Sequence, residues 1–221
     1  MSKNIAFIPA RKNSKGIAFK NRILFKNSLK FIKKLDFIDE ILVSSDDEFI
    51  INIAKQNNLS FHKRKKKYAK DNTSIKETIL NMIKEKNIEQ NHNIWLFYLP
   101  IANRDIDDFK RAFGHTKHKE FRSMCSFYEA DYKYHPFFSW KIFKNKISKF
   151  IKNDIYRRQD LPKAYYHFHY ISCFKVSEIK KLNSEMINKK TKPLLINFDK
   201  RKLFEADTQE DMALFKKNYK K

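Results

Sequence analysis

Glycine is scarce in this 221-residue sequence, which contains only Gly16 and Gly114. This excludes a glycine-rich linker and the glycine fingerprints of the P-loop and of the Rossmann dinucleotide fold. Cysteine is equally rare, and Cys125 and Cys173 lie within apolar runs, so we expect reduced core thiols rather than a disulfide framework. No apolar run approaches the ~18 residues that predict a membrane span, and no secretory signal is evident. These features together predict a soluble cytoplasmic protein.

Acidic residues are few relative to basic ones, since 25 Asp and Glu oppose 48 Lys and Arg and leave a formal net charge of +23. Such a surplus is typical of nucleic-acid-binding proteins, but only nine of the cations are Arg, the residue that reads base edges bidentately. A basic surface also steers small anionic substrates toward an enzyme. We therefore do not expect nucleic acid to be the partner, although charge alone does not identify the ligand.

Apolar runs alternate with helical patterns along the first part of the chain. The runs predict buried strands at 4–9, 40–45, 59–62 and 93–98. Between them, residues 10–22 are predicted to form a polar loop, and helices are predicted from a Ser28 cap to Leu35, around 50–54, and from an Asn72–Thr73 cap through Ile83. This rhythm is typical of parallel β-α-β units, and so predicts an α/β fold with a mostly parallel sheet.

The rhythm changes in the second half of the chain. A helix is predicted at 105–118 and a strand at 122–128, but residues 129–170 are rich in aromatics and alternate like a hairpin around Asn145-Lys146. Strands are predicted again at 170–176 and 193–198. Thr208 and Asp211 have capping-box spacing, which predicts a terminal helix. We interpret the chain as a single domain, 1–221, with an inserted arm at 130–165.

The loop after the first strand has an unusual composition. It reads Ala10-Arg-Lys-Asn-Ser-Lys-Gly16 and is followed by Lys20-Asn21. Ligands of open α/β sheets bind beyond the carboxyl ends of the strands, so cations there are placed to surround a triphosphate. The alternative, from composition alone, is an ordinary solvated basic loop.

This opening resembles that of the acylneuraminate cytidylyltransferases, enzymes that activate sialic, legionaminic and pseudaminic acids as CMP-sugars. The resemblance continues in four further segments, in the same order along the chain: Ile41 to Asp46, Arg64 with Tyr68 to Thr73, Arg158-Gln159-Asp160-Leu161-Pro162 with Tyr165, and Phe204-Glu205-Ala206-Asp207-Thr208 with Asp211. It implies a three-layer Rossmann-like nucleotidyltransferase fold and transfer of CMP from CTP to an acidic sugar, with release of pyrophosphate. It also implies a homodimer joined through the inserted arm.

The resemblance further implies a set of site residues. Arg11 and Lys20 would be catalytic, and the nucleotide would be bound by Arg11, Ser14, Lys15, Asn21, Arg64 and Ser74. The acidic sugar would be bound by Arg104, Arg158, Gln159 and Tyr165. Glu205 and Asp207 would hold Mg²⁺, and their alternation in an extended stretch places both carboxylates on one face. Without the resemblance, this acidic pair is equally typical of a helix N-terminus.

Glu205 stands where the terminal motif of the family usually has Asp, and two longer segments also depart from the family pattern. Leu99-Pro100-Ile101-Ala102-Asn103-Arg104 stands where the family has Gln-Pro-Thr-Ser-Pro-Leu-Arg, and Phe168-His169-Tyr170 replaces Asn-Gly-Ala. Both fall where the family holds its sugar. They leave open an alternative function, a non-catalytic protein that binds nucleotide or nucleic acid on the same fold.

Overall fold

The computed structural model describes residues 2–13, 17–197 and 204–219 of the chain. Nine strands lie within these residues: β1 (Asn4–Pro9), β2 (Glu40–Ser45), β3 (Ser60–Lys63), β4 (Asn93–Leu96), β5 (Ser123–Glu129), β6 (Trp140–Phe143), β7 (Lys146–Lys149), β8 (Tyr165–Lys175) and β9 (Lys192–Leu195). Seven of these form one sheet, in the order β3-β2-β1-β4-β8-β5-β9, and β6 pairs with β7 in a separate hairpin. Within the large sheet, β8 alone of these strands runs antiparallel to its neighbours.

Helices cover both faces of this sheet, as predicted for a three-layer α/β fold. In the same described ranges they are α1 (Lys20–Ile32), α2 (Glu48–Gln56), α3 (Ile75–Lys86), α4 (Ile106–Thr116) and α5 (Gln209–Tyr219). The side chains of β1 alternate between two buried cores. Ala6 and Ile8 belong to the core that includes α1, α2, α4 and α5, and Ile5 and Phe7 to the core that includes α3. No helix of these ranges is long and apolar enough to cross a lipid bilayer.

The direction in which the sheet is built reverses at β1. The chain adds β2 and then β3 on one side of β1, and places β4 on the other side. Parallel pairing of β1 with both β2 and β4 brings their carboxyl ends to one edge. In open α/β sheets this reversal leaves a crevice between the two diverging connections, where ligands bind.

The start of α1 differs from the prediction. The helix begins at Lys20, so residues 20–22 are helical rather than loop, and Ser28 is a fully buried residue inside it rather than its cap. Phe19 precedes the helix in the left-handed conformation, with φ 54°, and provides no side-chain cap. The prediction was wrong because Ser28 resembles a capping residue, whereas the apolar positions of α1 already repeat at helical spacing from Leu24.

The predictions of four other element boundaries had different outcomes. The cap of α3 is Ser74, not Asn72 or Thr73. At α5 the predicted capping box is confirmed, because Thr208 N donates to Asp211 Oδ2 at 2.8 Å and Asp211 N donates back to Thr208 Oγ1 at 3.1 Å. The strand predicted at 170–176 begins earlier, at Tyr165. The predicted end of the last strand, Phe198, lies outside the described residues.

A hairpin is present where the aromatic segment predicted one. Lys144 and Asn145 connect β6 to β7 with φ values of 47° and 59°, the positive pair typical of a type I′ turn. The hairpin exposes large apolar side chains, among them Trp140, Ile142 and Phe143. Elsewhere, Cys125 and Cys173 are buried free thiols, as expected.

Candidate nucleotide site

A cavity of about 330 Å³ opens where β1 and β4 end. Pro9 lies at the end of β1, and Tyr98 and Pro100 follow β4, so the cavity occupies the crevice at the reversal point of the sheet. Four of the predicted site residues line it: Arg11, Lys20, Asn21 and Arg64. The remaining lining residues are Tyr68, Lys70, Asp71, Thr73, Ile75 and Thr78.

The loop after β1 is held to the first turn of α1. Asn21 Nδ2 donates to the carbonyl oxygen of Arg11 at 2.8 Å, and Lys12 N donates to Asp46 Oδ1 at 2.7 Å. The side chain of Arg11 reaches across the cavity, where its Nη1 lies 2.6 Å from Asp71 Oδ1. These bonds fix the position of a guanidinium at the mouth of the cavity. Ser14 and Lys15, also predicted to bind the nucleotide, lie outside the described residues.

Lys20 joins the cavity to the predicted metal-binding pair. Its side chain is only 7% exposed, and its Nζ lies 2.6 Å from Asp207 Oδ1. Arg22 anchors the first turn of α1, because its Nε and Nη2 donate to the two carboxylate oxygens of Asp47 at 2.6 and 2.9 Å. A buried ammonium that pairs with one carboxylate is well placed to neutralise phosphate charge as well.

Glu205 and Asp207 are held beside the loop that follows β4. Ala206 N donates to the carbonyl oxygen of Pro100 at 2.9 Å, and Glu205 forms an isolated antiparallel bridge with Ile101. Partial burial and the neighbouring Asp207 carboxylate raise the pKa of Glu205. Two close carboxylates, one of them disfavoured as an anion without a cation, fit the oxygen ligands that Mg²⁺ takes when substrate phosphates complete its shell. The described residues contain no group of three or more His, Cys, Asp and Glu side chains that could hold a metal alone.

Arg64 forms the wall opposite Lys20. Its Nη2 donates to the carbonyl oxygen of Ser44 at 3.1 Å and its Nε donates to Ser44 Oγ at 3.3 Å. Burial lowers the pKa of Arg64 to about 10, so the guanidinium remains charged at neutral pH. Ser44 is the penultimate residue of β2 and Arg64 directly follows β3, so parallel pairing of these two strands brings them together.

Two predicted residues point elsewhere. Arg104 does not line the nucleotide cavity; its Nη1 donates to Ser28 Oγ at 3.3 Å and its Nη2 to the carbonyl oxygen of Tyr98 at 2.5 Å. It lines a separate cavity between α1 and α5. Ser74 caps α3, where its Oγ accepts from Glu77 N at 3.1 Å and Ser74 N donates to Glu77 Oε2 at 2.8 Å.

The remaining predicted residues lie on the arm. Arg158 and Gln159 are exposed in a short 3₁₀ turn, with the Arg158 guanidinium 4.4 Å from the centre of the Tyr132 ring. Tyr165 begins β8 and pairs with Glu129. None of the three lines the nucleotide cavity of its own chain.

Sequence reasoning gave several cavity residues no individual role in ligand binding, although Asp71 and Thr73 stand in a segment that resembles the family and Thr73 was predicted to cap a helix. Tyr98 lies in the wall, and its burial raises the pKa of its phenol. Lys70, Asp71 and Thr73 line the opposite side, in the segment whose resemblance had been noted through Arg64. The signal that could have found them is their position: they follow a predicted strand at the same edge of the sheet as the Arg11 loop.

Comparisons with known proteins agree with this geometry. A family model described as Cytidylyltransferase matches residues 5–217. A 4-diphosphocytidyl-2C-methyl-D-erythritol synthase from Anaerococcus prevotii DSM 20548 is similar in structure, with a TM-score of 0.65, 11% identity, and coverage of 100% of this chain and 99% of the other. A CMP:2-keto-3-deoxy-manno-octonic acid synthetase complexed with CTP has a TM-score of 0.61, 10% identity, and coverage of 98% and 96%. No curated protein matches the chain significantly.

Proposed function

Because the chain belongs to the cytidylyltransferase family, we propose that it transfers CMP from CTP to a small acidic sugar of the nonulosonic-acid class and releases pyrophosphate. The observation that carries the proposal is the crevice at the ends of β1 and β4, in which Arg11, Lys20 and Arg64 converge. A triphosphate is the ligand that such a concentration of cations favours. The acidic pair at Glu205 and Asp207 lies directly behind Lys20.

In this reaction, the acceptor hydroxyl attacks the α-phosphorus of CTP in line, and the bond to the pyrophosphate oxygen breaks. Catalysis of such a step is mostly positioning and neutralisation of charge on the phosphate oxygens. Lys20 and Arg11 supply positive charge at the cavity. Lys15 of the same loop would add a further charge, and Ser14 a hydroxyl donor. Asn21 holds the backbone of Arg11 in place. Arg64 completes the proposed contacts to the nucleotide, whereas the hydroxyl of Ser74 is taken up by the cap of α3.

Glu205 and Asp207 are the proposed ligands of Mg²⁺. When bound, the ion would neutralise phosphate oxygens and orient the triphosphate for in-line attack. Lys20 Nζ pairs with Asp207 in the structure, so Lys20 would keep this proposed metal-ligating carboxylate at the edge of the cavity. The extra methylene of Glu205, relative to the Asp that the family pattern has, lengthens the reach of one ligand.

In this proposal, the residues that bind the acceptor lie on the arm. Arg158, Gln159 and Tyr165 lie outside the cavity of their own chain, so they can contact an acceptor at a nucleotide site only if a second copy brings its arm there. Arg158 carries the planar guanidinium that binds a carboxylate bidentately. Arg104 stands at the position of the arginine in the family motif. Its guanidinium is buried against Ser28 and Tyr98, so it is not directed toward a sugar in the nucleotide cavity.

Buried apolar side chains follow β4 where the family supplies an amide and hydroxyls. Leu99, Ile101 and Ala102 are each less than 10% exposed. A site without those polar partners leaves the polar groups of N-acetylneuraminic acid unpaired, at roughly 1–3 kcal/mol for each buried group. We expect a deoxygenated or otherwise altered acidic sugar to be preferred over N-acetylneuraminic acid.

The test is pyrophosphate release from CTP and Mg²⁺ with a panel of acceptors. The panel contains N-acetylneuraminic, legionaminic, pseudaminic and 2-keto-3-deoxy-manno-octonic acids, with 2C-methyl-D-erythritol 4-phosphate as the non-acid-sugar control. Turnover with an acidic sugar other than N-acetylneuraminic acid supports the proposal. Turnover with the methylerythritol phosphate alone contradicts the acceptor class, and CTP binding without any pyrophosphate release indicates a non-catalytic nucleotide-binding protein.

A further inference from the structure

Behind Arg64 lies a row of polar side chains, buried at Ser44 and His62 and reaching the surface at Glu85, that the proposed reaction does not use. Ser44 Oγ, which accepts from Arg64 Nε, lies 2.9 Å from His62 Nδ1. On the other side of the imidazole, His62 Nε2 lies 3.1 Å from Glu85 Oε2. Ser44 and His62 are 0% and 1% exposed, so neither is accessible as a nucleophile or surface base. The row runs from α3 through β3 and β2 to the cavity wall.

The direction of the hydrogen bonds follows from what each group can do. A guanidinium only donates, so the Ser44 hydroxyl oxygen is an acceptor toward Arg64. The single proton of that hydroxyl is then available to His62, and it is used in these contacts when His62 Nδ1 is the unprotonated, accepting nitrogen. The ring proton therefore resides on Nε2, the nitrogen beside the Glu85 carboxylate.

We propose that His62 is a positioning residue that, in its neutral Nε2–H form, orients the Arg64 guanidinium toward the nucleotide through the Ser44 hydroxyl. That Arg64 binds the nucleotide rests on the proposed function. The relay, meaning the contacts from His62 through Ser44 to Arg64, rests on the geometry just described. A proton on Nδ1 would leave two donors, His62 and Arg64, facing the same hydroxyl oxygen. It would also place a second positive charge beside the guanidinium.

The charges around His62 favour the neutral ring at neutral pH. Burial lowers the pKa of His62, and Arg64 lowers it further, against the opposing effects of Glu85 and of Asn81 on α3. The Glu85 carboxylate is shared, because Lys65 Nζ lies 2.7 Å from its other oxygen. Protonation of His62 is therefore expected only below the ordinary histidine pKa of 6.5.

The experiment compares two substitutions of His62 with a matched control. In His62→Asn the amide oxygen stands near the position of Nδ1 and accepts from Ser44 without titrating, whereas His62→Leu fills similar space and accepts nothing. His92→Asn is the control, since His92 is also buried but lies at the amino end of β4, away from the cavity. Long-range ¹H–¹⁵N spectra of the wild-type protein at pH 7.5 report the His62 tautomer, and ¹⁵N spectra of every variant report the Arg64 Nε–H.

We expect the Nε2–H tautomer in the wild type, and an Arg64 Nε–H signal that is lost in His62→Leu and kept in His62→Asn. The KM for CTP should rise about tenfold in His62→Leu with little change in kcat, as for loss of one ordinary hydrogen bond made in both ground and transition states. Wild-type KM should rise on acidification below pH 6.5, and His62→Asn should abolish that rise.

A doubly protonated or Nδ1–H ring at pH 7.5 overturns the proposal, as does an unchanged Arg64 signal in His62→Leu. Equal effects of His62→Leu and His92→Asn on KM would show a merely structural role. If His62→Leu does not fold, the wild-type tautomer and the pH profile of His62→Asn decide. If the wild type does not bind CTP, the proposed function fails, whereas the two spectroscopic readouts still judge the relay.

Discussion

At the scale of single residues, Lys20 carries the largest expected catalytic contribution. Its ammonium is buried beside the cavity and paired with Asp207, so it is already positioned before substrate binds. Lys20→Ala should lower kcat by about two to three orders of magnitude, the scale measured for removal of one preorganised donor. Steady-state pyrophosphate release checks this. Lys26→Ala, which removes an exposed cation from the same helix, is the control and should leave kcat unchanged. A change confined to KM would show that Lys20 only binds.

Also at the residue scale, the raised pKa of Glu205 predicts that the Mg²⁺ concentration needed for activity depends on pH. Its pKa is raised by partial burial and by Asp207, so the carboxylate is lost at a higher pH than for an ordinary Glu. The half-saturating Mg²⁺ concentration should therefore rise as pH falls toward that raised pKa. Between the ordinary and the raised pKa the folded state holds more protons than the unfolded state, so metal-free stability falls as pH rises through this window.

The corresponding variant separates these two effects. Glu205→Gln should raise the Mg²⁺ requirement and remove its pH dependence, because the amide does not titrate. In the absence of metal it should be at least as stable as the wild type at pH 7.5, measured by calorimetry. Turnover that is independent of Mg²⁺ in the wild type would contradict the assignment of this pair as metal ligands.

At the scale of the elements, Ser74 tests whether a residue caps a helix or binds the nucleotide. Its hydroxyl accepts from Glu77 N in the capping box of α3, and its neighbours Thr73 and Ile75 line the cavity. Ser74→Ala should lower the free energy of unfolding by about 1 kcal/mol, the usual cost of a lost cap, and leave the KM for CTP unchanged. Denaturant titration and kinetics check both. The exposed Ser184, changed to Ala, serves as the control. A rise in KM would show that the hydroxyl also contacts the nucleotide, as the family resemblance implies.

The elements also show what sequence can predict. The strands β1, β2 and β4 could be found because buried parallel strands are short apolar runs that end at turn residues. The start of α1 could not, since Phe19 enters the helix with no capping side chain and Ser28 imitates a cap. For the site, the loop of Arg11 was found from its motif. The inward turn of Arg104 and the contact of His62 with Ser44 depend on which strands become neighbours, which no local pattern encodes.

At the scale of the whole molecule, the site depends on topology more than on any one motif. Residues far apart in sequence, such as Lys20 and Asp207, meet because the segment before α5 pairs with the loop that follows β4. The same topology leaves the arm exposed. Ile142, Phe143 and Tyr156 are 75%, 71% and 82% exposed. An exposed group of large apolar side chains is typical of an interaction surface.

We expect a second copy of the chain to cover this arm. A stable homodimer of this kind should bury more than ~2,000 Å² in total, and light scattering at micromolar concentration should give twice the mass of the chain. Ile142→Lys combined with Phe143→Lys should give monomers, because two charges would be buried without partners. Leu195→Lys, at an exposed position of the edge strand β9, is the control and should remain dimeric.

Since Arg158 lies outside the cavity of its own chain, the monomeric variant should bind CTP normally and lose turnover of the acceptor. A monomeric wild type, or a monomeric variant with full turnover, would show that each chain completes its site alone.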